Sequence, residues 1–219
     1  MTKQLITLTS PGSAAAEAYR QLYINLAFSN GGQGSHKFLI TSSTASEDKS
    51  LVLANLAVVA AQMGQKVVVM DADLRQPQQH QLFGLSNDLG VSGVVEGKAD
   101  TADVLKTVPD VADLRVLTSG PQLATPSQVL ASRRMEDLIA ELSTLADLVL
   151  IDVPPVLVVS DASVLASKVD GVLLVVKAGQ TKRDQARRAK EHLEKVGANI
   201  IGVVLDNVTA DAALQGYDQ

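Results

Sequence analysis

Short apolar runs rich in β-branched residues recur along this chain, each followed by a stretch of helical character, and nothing else in it constrains the fold as tightly. The runs cover residues 38–40, 67–70, 114–117, 148–151, 172–176 and 200–205. Strands alternating with helices imply parallel pairing through right-handed crossovers, helices on both faces, and ligands at the carboxyl ends of the strands. The expected class is therefore α/β, a doubly wound and mostly parallel sheet. Composition agrees, since hydrophobic residues make up 46 % of the chain and aromatic ones only 3 %. A core of Val, Leu, Ile and Ala suits a sheet buried on both sides. At 219 residues one domain over 1–219 is expected, with 1–36 as an N-terminal helix and loop and 210–219 as a short tail.

Between the strands, 14–28 reads as an amphipathic helix with Ala18, Leu22 and Leu26 on one stripe, broken by the glycine-rich 30–35. Residues 50–63 are apolar nearly all round and stop at Gly64, which predicts a buried helix with a glycine cap. A second long helix is expected over 127–145, a third over 181–196, and short helices within 86–108.

Several function classes drop out on composition. Without cysteine there are no disulfides, thiolate metal sites or cysteine nucleophiles. A net charge of −5 supplies no global field for nucleic acid. No apolar run approaches the roughly 20 residues of a membrane helix, so the expectation is a cytoplasmic protein with no direct membrane insertion. The basic residues of 181–196 sit in i,i+4 pairs, Arg187 with Glu191 and Lys190 with Glu194, and predict a solvated helix rather than a nucleic-acid patch. His36, His80 and His192 lack metal-ligand spacing.

The chemistry is concentrated after three of the strands. Strand 38–40 runs through residues 41–48 to Lys49-Ser50 at the start of the buried helix, where a phosphate loop belongs. A helix N-terminus offers unpaired N–H groups and a positive dipole end, Lys49 can reach the β/γ phosphates and Ser50 can hold Mg²⁺. Strand 67–70 ends in Asp71-Ala72-Asp73-Leu74-Arg75-Gln76-Pro77, and strand 148–151 in Asp152-Val153-Pro154-Pro155. Carboxylates at such strand ends suit a Mg²⁺–phosphate site, one holding the metal and another taking a hydroxyl proton.

These motifs resemble the bacterial tyrosine kinases (BY-kinases) of exopolysaccharide export, within the MinD/ParA-like P-loop superfamily. The likeness runs from about Pro11 to Val208 and includes Asp71–Pro77, Ile151–Pro155, Glu17-Ala18-Tyr19-Arg20, Ala54-Asn55-Leu56-Ala57, Ser160-Asp161-Ala162 and Asp170-Gly171-Val172. It implies an ATP-dependent, cytoplasmic tyrosine autokinase recruited to the inner face of the membrane by a polysaccharide co-polymerase. By that resemblance Lys49, Asp71 and Asp73 are the catalytic set, with Asp71 the base. ATP or ADP is held by Ser46, Glu47, Asp48, Lys49, Ser50, Leu51 and Asp206, and Mg²⁺ by Ser50, Asp73 and Asp152.

The chain departs from the family pattern at three places. The family's Pro-Gly-x-Gly-Lys-Ser is Ala45-Ser46-Glu47-Asp48-Lys49-Ser50 here. Glycine serves such loops because inward-pointing amides often need positive φ and leave no room for a Cβ. Asp48 also brings a negative charge; at about 5 Å and an effective dielectric near 20, each like-charge pair costs roughly 3 kcal/mol before Mg²⁺ screening. The family's ring-assembly Glu-x-x-Arg-x-x-Arg is Glu17, Arg20 and Tyr23, and the tail holds only Tyr217 in place of a tyrosine cluster. The reading that follows is a pseudokinase: a nucleotide-impaired scaffold or regulatory paralogue, homo- or hetero-oligomeric with an active relative. An active autokinase and a partition-type ATPase are the alternatives.

Overall fold

The computed structural model describes residues 5–29 and 35–208. Its elements, in chain order, are α1 (Ile6–Thr9), α2 (Ala14–Ser29), β1 (His36–Ser42), α3 (Lys49–Gln62), β2 (Val67–Asp71), α4 (Gln79–Leu82), α5 (Val91–Val95), α6 (Thr101–Val104), β3 (Lys106–Thr107), β4 (Leu114–Leu117), α7 (Pro126–Leu130), α8 (Arg133–Leu145), β5 (Leu148–Asp152), α9 (Asp161–Ala166), β6 (Gly171–Lys177), α10 (Arg183–Lys195) and β7 (Ile200–Asp206). The strands form one sheet in the order β3-β4-β2-β5-β1-β6-β7. Every pairing is parallel except β3 with β4. This is the doubly wound, mostly parallel sheet that the alternation of strands and helices predicts.

Strand residues divide between the two faces with a period of two. Phe38 and Ile40 enter the apolar cluster under α2 and α3, while Leu39 between them enters the cluster under α8, α9 and α10. The same split separates Val67 and Val69 from Val68 and Met70, and Leu148 and Leu150 from Val149 and Ile151. Helix α3 is buried almost from end to end, which explains why its sequence is apolar all round. Asn55 is an exception with a purpose: its Oδ1 accepts from the N–H and hydroxyl of Thr7, its Nδ2 donates to the Leu51 carbonyl, and α1 is thereby fastened to α3.

The structure differs from the expected elements by the added short helices α1 and α4 and at two further places. The single helix expected over 127–145 is two, because Ser132 takes an extended backbone and its hydroxyl accepts from Met135 N as the N-cap of α8. Within 86–108 the short helices α5 and α6 are accompanied by β3, a two-residue antiparallel strand too short to leave a periodic signal.

The segment leading into α5 docks on the end of β4 through Val91 N to Thr118 O at 2.8 Å and Ser92 N to Ser119 O at 2.9 Å. Gly90 makes that approach possible: a Cβ there would stand 1.9 Å from Thr118 O and 2.6 Å from Gly120 N. Both neighbours are backbone and cannot turn away. Gly90→Ala should therefore lower stability by about 3 kcal/mol, at the upper end for overpacking. Urea unfolding should show an earlier midpoint at unchanged slope.

Candidate functional site

Parallel pairing brings the two acidic strand ends, of β2 and β5, together beside the end of β1. Asp71 and Asp152 are register partners on β2 and β5, and Ile40 on β1 lies opposite Asp152. Across this junction α3 begins at Lys49, whose side chain is buried and turned toward the acids. Lys49 Nζ donates to Asp73 Oδ2 and Asp152 Oδ1, both at 2.9 Å, and to Ser50 Oγ at 3.2 Å. Burial alone would push the ammonium's pKa down, but Asp152 and Asp73 outweigh it and hold it above the ordinary lysine value. Its charge is thus fixed, and three oxygens converge on one cation.

Those oxygens are hard donors, the kind Mg²⁺ takes. Among the described residues no group of three His, Cys, Asp or Glu side chains could hold a metal. Two carboxylates and a hydroxyl suit Mg²⁺ all the same, since the ion keeps several waters and shares its shell with phosphate oxygens. Ser50, Asp73 and Asp152 are the residues that would hold it, and the ion would neutralise charge on the phosphates there.

Asp71 lies deeper and is fully buried. Its Oδ2 accepts from the backbone N–H groups of Gln78 at 3.1 Å and Gln79 at 3.0 Å, and its Oδ1 from Asp73 N at 3.3 Å. Burial, with Asp152 adding, pushes its carboxyl well above the usual range. The loop it anchors is also stapled from outside. Arg75 Nε donates to Asp161 Oδ2 at 2.7 Å and its Nη2 to Ser127 Oγ at 2.8 Å, while Ser127 itself donates to Asp161. Asp161 is wholly buried, so the guanidinium fork fixes the loop bearing Asp73 against α7 and α9.

Side chains of the 44–48 loop bond to the loop itself and to residues at the end of β6 and just after it. Glu47 is buried; its Oε2 accepts from Thr44 N at 2.7 Å and its Oε1 from the Thr181 hydroxyl. Asp48 precedes α3 and its Oδ2 pairs with Lys177 Nζ at 2.6 Å. This corrects the expectation of an uncompensated charge: Lys177, at the end of β6, stands beside Asp48, and their hydrogen bond raises the lysine's pKa. Non-glycine residues with positive φ among those described are Asp110, Asp113 and Asn207, so residues 43–48 all keep negative φ. The alternating right- and left-handed backbone that makes an anion nest is missing there. The cleft left beside Ala45, Glu47, Asp48, Lys49, Ser50 and Asp73 has about 140 Å³, below the roughly 300–1,000 Å³ of ordinary small-ligand pockets.

The remaining residues expected at the site lie around this centre. Ser46 is exposed, with its hydroxyl 3.1 Å from that of Thr44. Leu51 packs partly buried against the α3 face of the core. Asp206 ends β7; its carbonyl accepts from Ala178 N at 2.8 Å, and its charge joins Asp48 in acting on Tyr19 of α2, whose hydroxyl is pushed up to about 12, mostly by burial. On the same helix Arg20 pairs with Glu17 at 2.5 Å. On α10, Lys190 lies 2.9 Å from Glu194, and Arg187 lies 2.5 Å from Asp184 and 3.9 Å from Glu191. Tyr217 and the tail 210–219 lie outside the described residues. Sequence reasoning missed Lys177, Thr181 and Gln79. A lysine closing an apolar run was the one available sign of the first, and an isolated threonine or glutamine carries none.

Comparison with known proteins places this geometry. The ParA family model, described as a NUBPL iron-transfer P-loop NTPase, matches residues 34–213. The chain is 37 % identical over 206 residues to the tyrosine-protein kinase YwqD of Bacillus subtilis (strain 168), covering 94 % of this chain and 86 % of that protein. It is 36 % identical to the putative tyrosine-protein kinase CapB of Staphylococcus aureus, covering 92 % and 88 %. The solved kinase domain of the Escherichia coli tyrosine kinase ETK superposes with a TM-score of 0.88 at 33 % identity, covering 94 % of this chain and 82 % of that one. The septum site-determining protein MinD of Pyrococcus horikoshii OT3, complexed with Mg-ADP, shares the fold at a TM-score of 0.68 and 21 % identity, over 84 % and 78 % of the two chains. With acids, lysine and stapled arginine set out on a sheet of this order, and such likeness over nearly its whole length, the chain belongs to the bacterial tyrosine-protein kinase family of the ParA-like P-loop NTPases.

Proposed function

We propose that this chain is a member of that family working in exopolysaccharide synthesis or export, with impaired ATP binding, as a scaffold or regulatory paralogue. Its partner is then a membrane polysaccharide co-polymerase or an active kinase relative, which would bring it to the inner face of the membrane. No helix among the described residues is long and apolar enough to cross a membrane. One observation carries the reading: the loop bonds to itself and its surroundings, with the Glu47 carboxylate accepting from the amide of Thr44 and from the Thr181 hydroxyl. The negative φ values of 43–48 and the Asp48–Lys177 pair favour the same conclusion. Calorimetric titration of the protein with Mg·ATP should give no binding in the micromolar range. A micromolar dissociation constant would refute the reading.

An active tyrosine autokinase is the second reading, and the convergence of Lys49, Asp73 and Asp152 favours it. Asp71, with its raised carboxyl pKa, is then the base. Incorporation of labelled phosphate at Tyr217 from ATP and Mg²⁺ is its expected result, and a blank autoradiograph rules it out.

A further inference from the structure

Gln79 is the first residue of the four-residue α4 and is completely buried. Its Nε2 donates to Asp152 Oδ2 at 2.7 Å and to the Ser50 carbonyl at 3.1 Å, while its backbone N–H serves Asp71. One side chain thus ties the acid of β5 to the first turn of α3, and its main chain ties in the acid of β2. The other atom of the same amide, Oε1, is buried with no hydrogen-bond partner. An unpaired buried acceptor is destabilising by roughly 1–3 kcal/mol, so this oxygen favours any donor brought within its reach.

The two oxygens of Asp152 are divided. Oδ2 is held by Gln79, and Oδ1 faces the Lys49 ammonium inside the three-oxygen cage. We propose that Gln79 is a positioning residue of the cation site: its amide nitrogen fixes Asp152 so that Oδ1 alone faces a divalent cation, and its Oε1 accepts a hydrogen bond from a water in that cation's shell. Hydrogen bonds to metal-ligating carboxylates typically govern metal affinity by 10–100-fold. The inference rests on the cluster being the Mg²⁺ site of the reading above, but not on whether nucleotide binds.

The test uses Mn²⁺ alone, followed by loss of the free-ion signal in electron paramagnetic resonance, on the full chain without nucleotide. Lys49 competes for the cage, so the titration is made in the wild type and in Lys49→Met, each with and without Gln79→Leu, and folding is checked by circular dichroism. Mn²⁺ affinity should rise at least about tenfold in Lys49→Met and fall about tenfold on adding Gln79→Leu. Should Lys49→Met not fold, the same tenfold ratio is read between the wild type and Gln79→Leu at millimolar Mn²⁺. Asp152→Asn locates the ion. Binding that vanishes with Asp152→Asn but ignores Gln79→Leu overturns the role of Gln79 and leaves the cation site standing. Indifference to both substitutions, or no Mn²⁺ binding by folded protein, overturns both. Neither result bears on nucleotide impairment, which the ATP titration decides.

Discussion

Lys49→Met should lower the free energy of unfolding by about 4 kcal/mol, and millimolar Mg²⁺ should restore part of the loss. The side chain of Lys49 is 7 % exposed, those of Asp73 and Asp152 5 % and 0 %. Breaking a buried ion pair by deleting one partner typically costs 3–5 kcal/mol, because the surviving charge stays desolvated and unpaired. Methionine matches the lysine stem in length and packs in its place, so lost charge dominates over lost volume. Gln79 stays on Asp152 Oδ2 and cannot replace an ammonium on Oδ1. A hard dication can, which gives the rescue its specificity. Urea unfolding of wild type and variant, with Mg²⁺ or with NaCl of equal ionic strength, separates rescue from screening. A loss under about 1 kcal/mol, or rescue no better with Mg²⁺ than with NaCl, would show that the ammonium is not what holds the acids together.

The sheet was legible because its signal is local. The strands β1, β2, β5 and β6 each carry a continuous apolar run, and in a parallel sheet buried on both faces that run marks the strand. The acids were legible for the same reason: Asp71 and Asp152 directly follow such runs and Asp73 lies two residues further, so the fold that follows from the alternation sends them to one edge. Elements whose cause is not local were missed. β3 has two residues and exists only because β4 offers a ladder, and the break between α7 and α8 depends on one serine choosing its own backbone over the helix. From the sequence Asp48 is a bare charge beside the phosphates, yet Lys177, 129 residues along the chain, pairs with it. Likewise Gln79 lies 73 residues from Asp152. Such pairs follow from the neighbouring of β1 with β6 and of β2 with β5, and no spacing rule in a single sequence carries them.

Because Asp48 is paired, the Ser46→Gly/Asp48→Gly double variant should gain more nucleotide affinity than relief of repulsion alone would give. Removing Asp48 deletes a negative charge and also releases the Lys177 ammonium, which turns a neutral pair at the mouth of the loop into a net positive charge. At about 6 Å and an effective dielectric near 20, one such charge attracts a phosphate by ~3 kcal/mol before solvent screening. Lys177 is partly open to water, so roughly tenfold to a hundredfold is the expected gain from charge. Glycine at 46 and 48 further opens the positive-φ conformations that residues 43–48 do not use, letting the loop turn its amides inward. The two contributions are separable. Asp48→Asn should recover part of the electrostatic share alone, and Asp48→Asn/Lys177→Met should forfeit the help of the freed ammonium. Calorimetry with Mg·ADP across the series is the measurement. If the glycine variant binds no better than the wild type, neither the missing glycines nor the charge of Asp48 is the barrier to nucleotide. The Glu47 carboxylate on Thr44 N would then be the next group to remove, as Glu47→Gln in the glycine background.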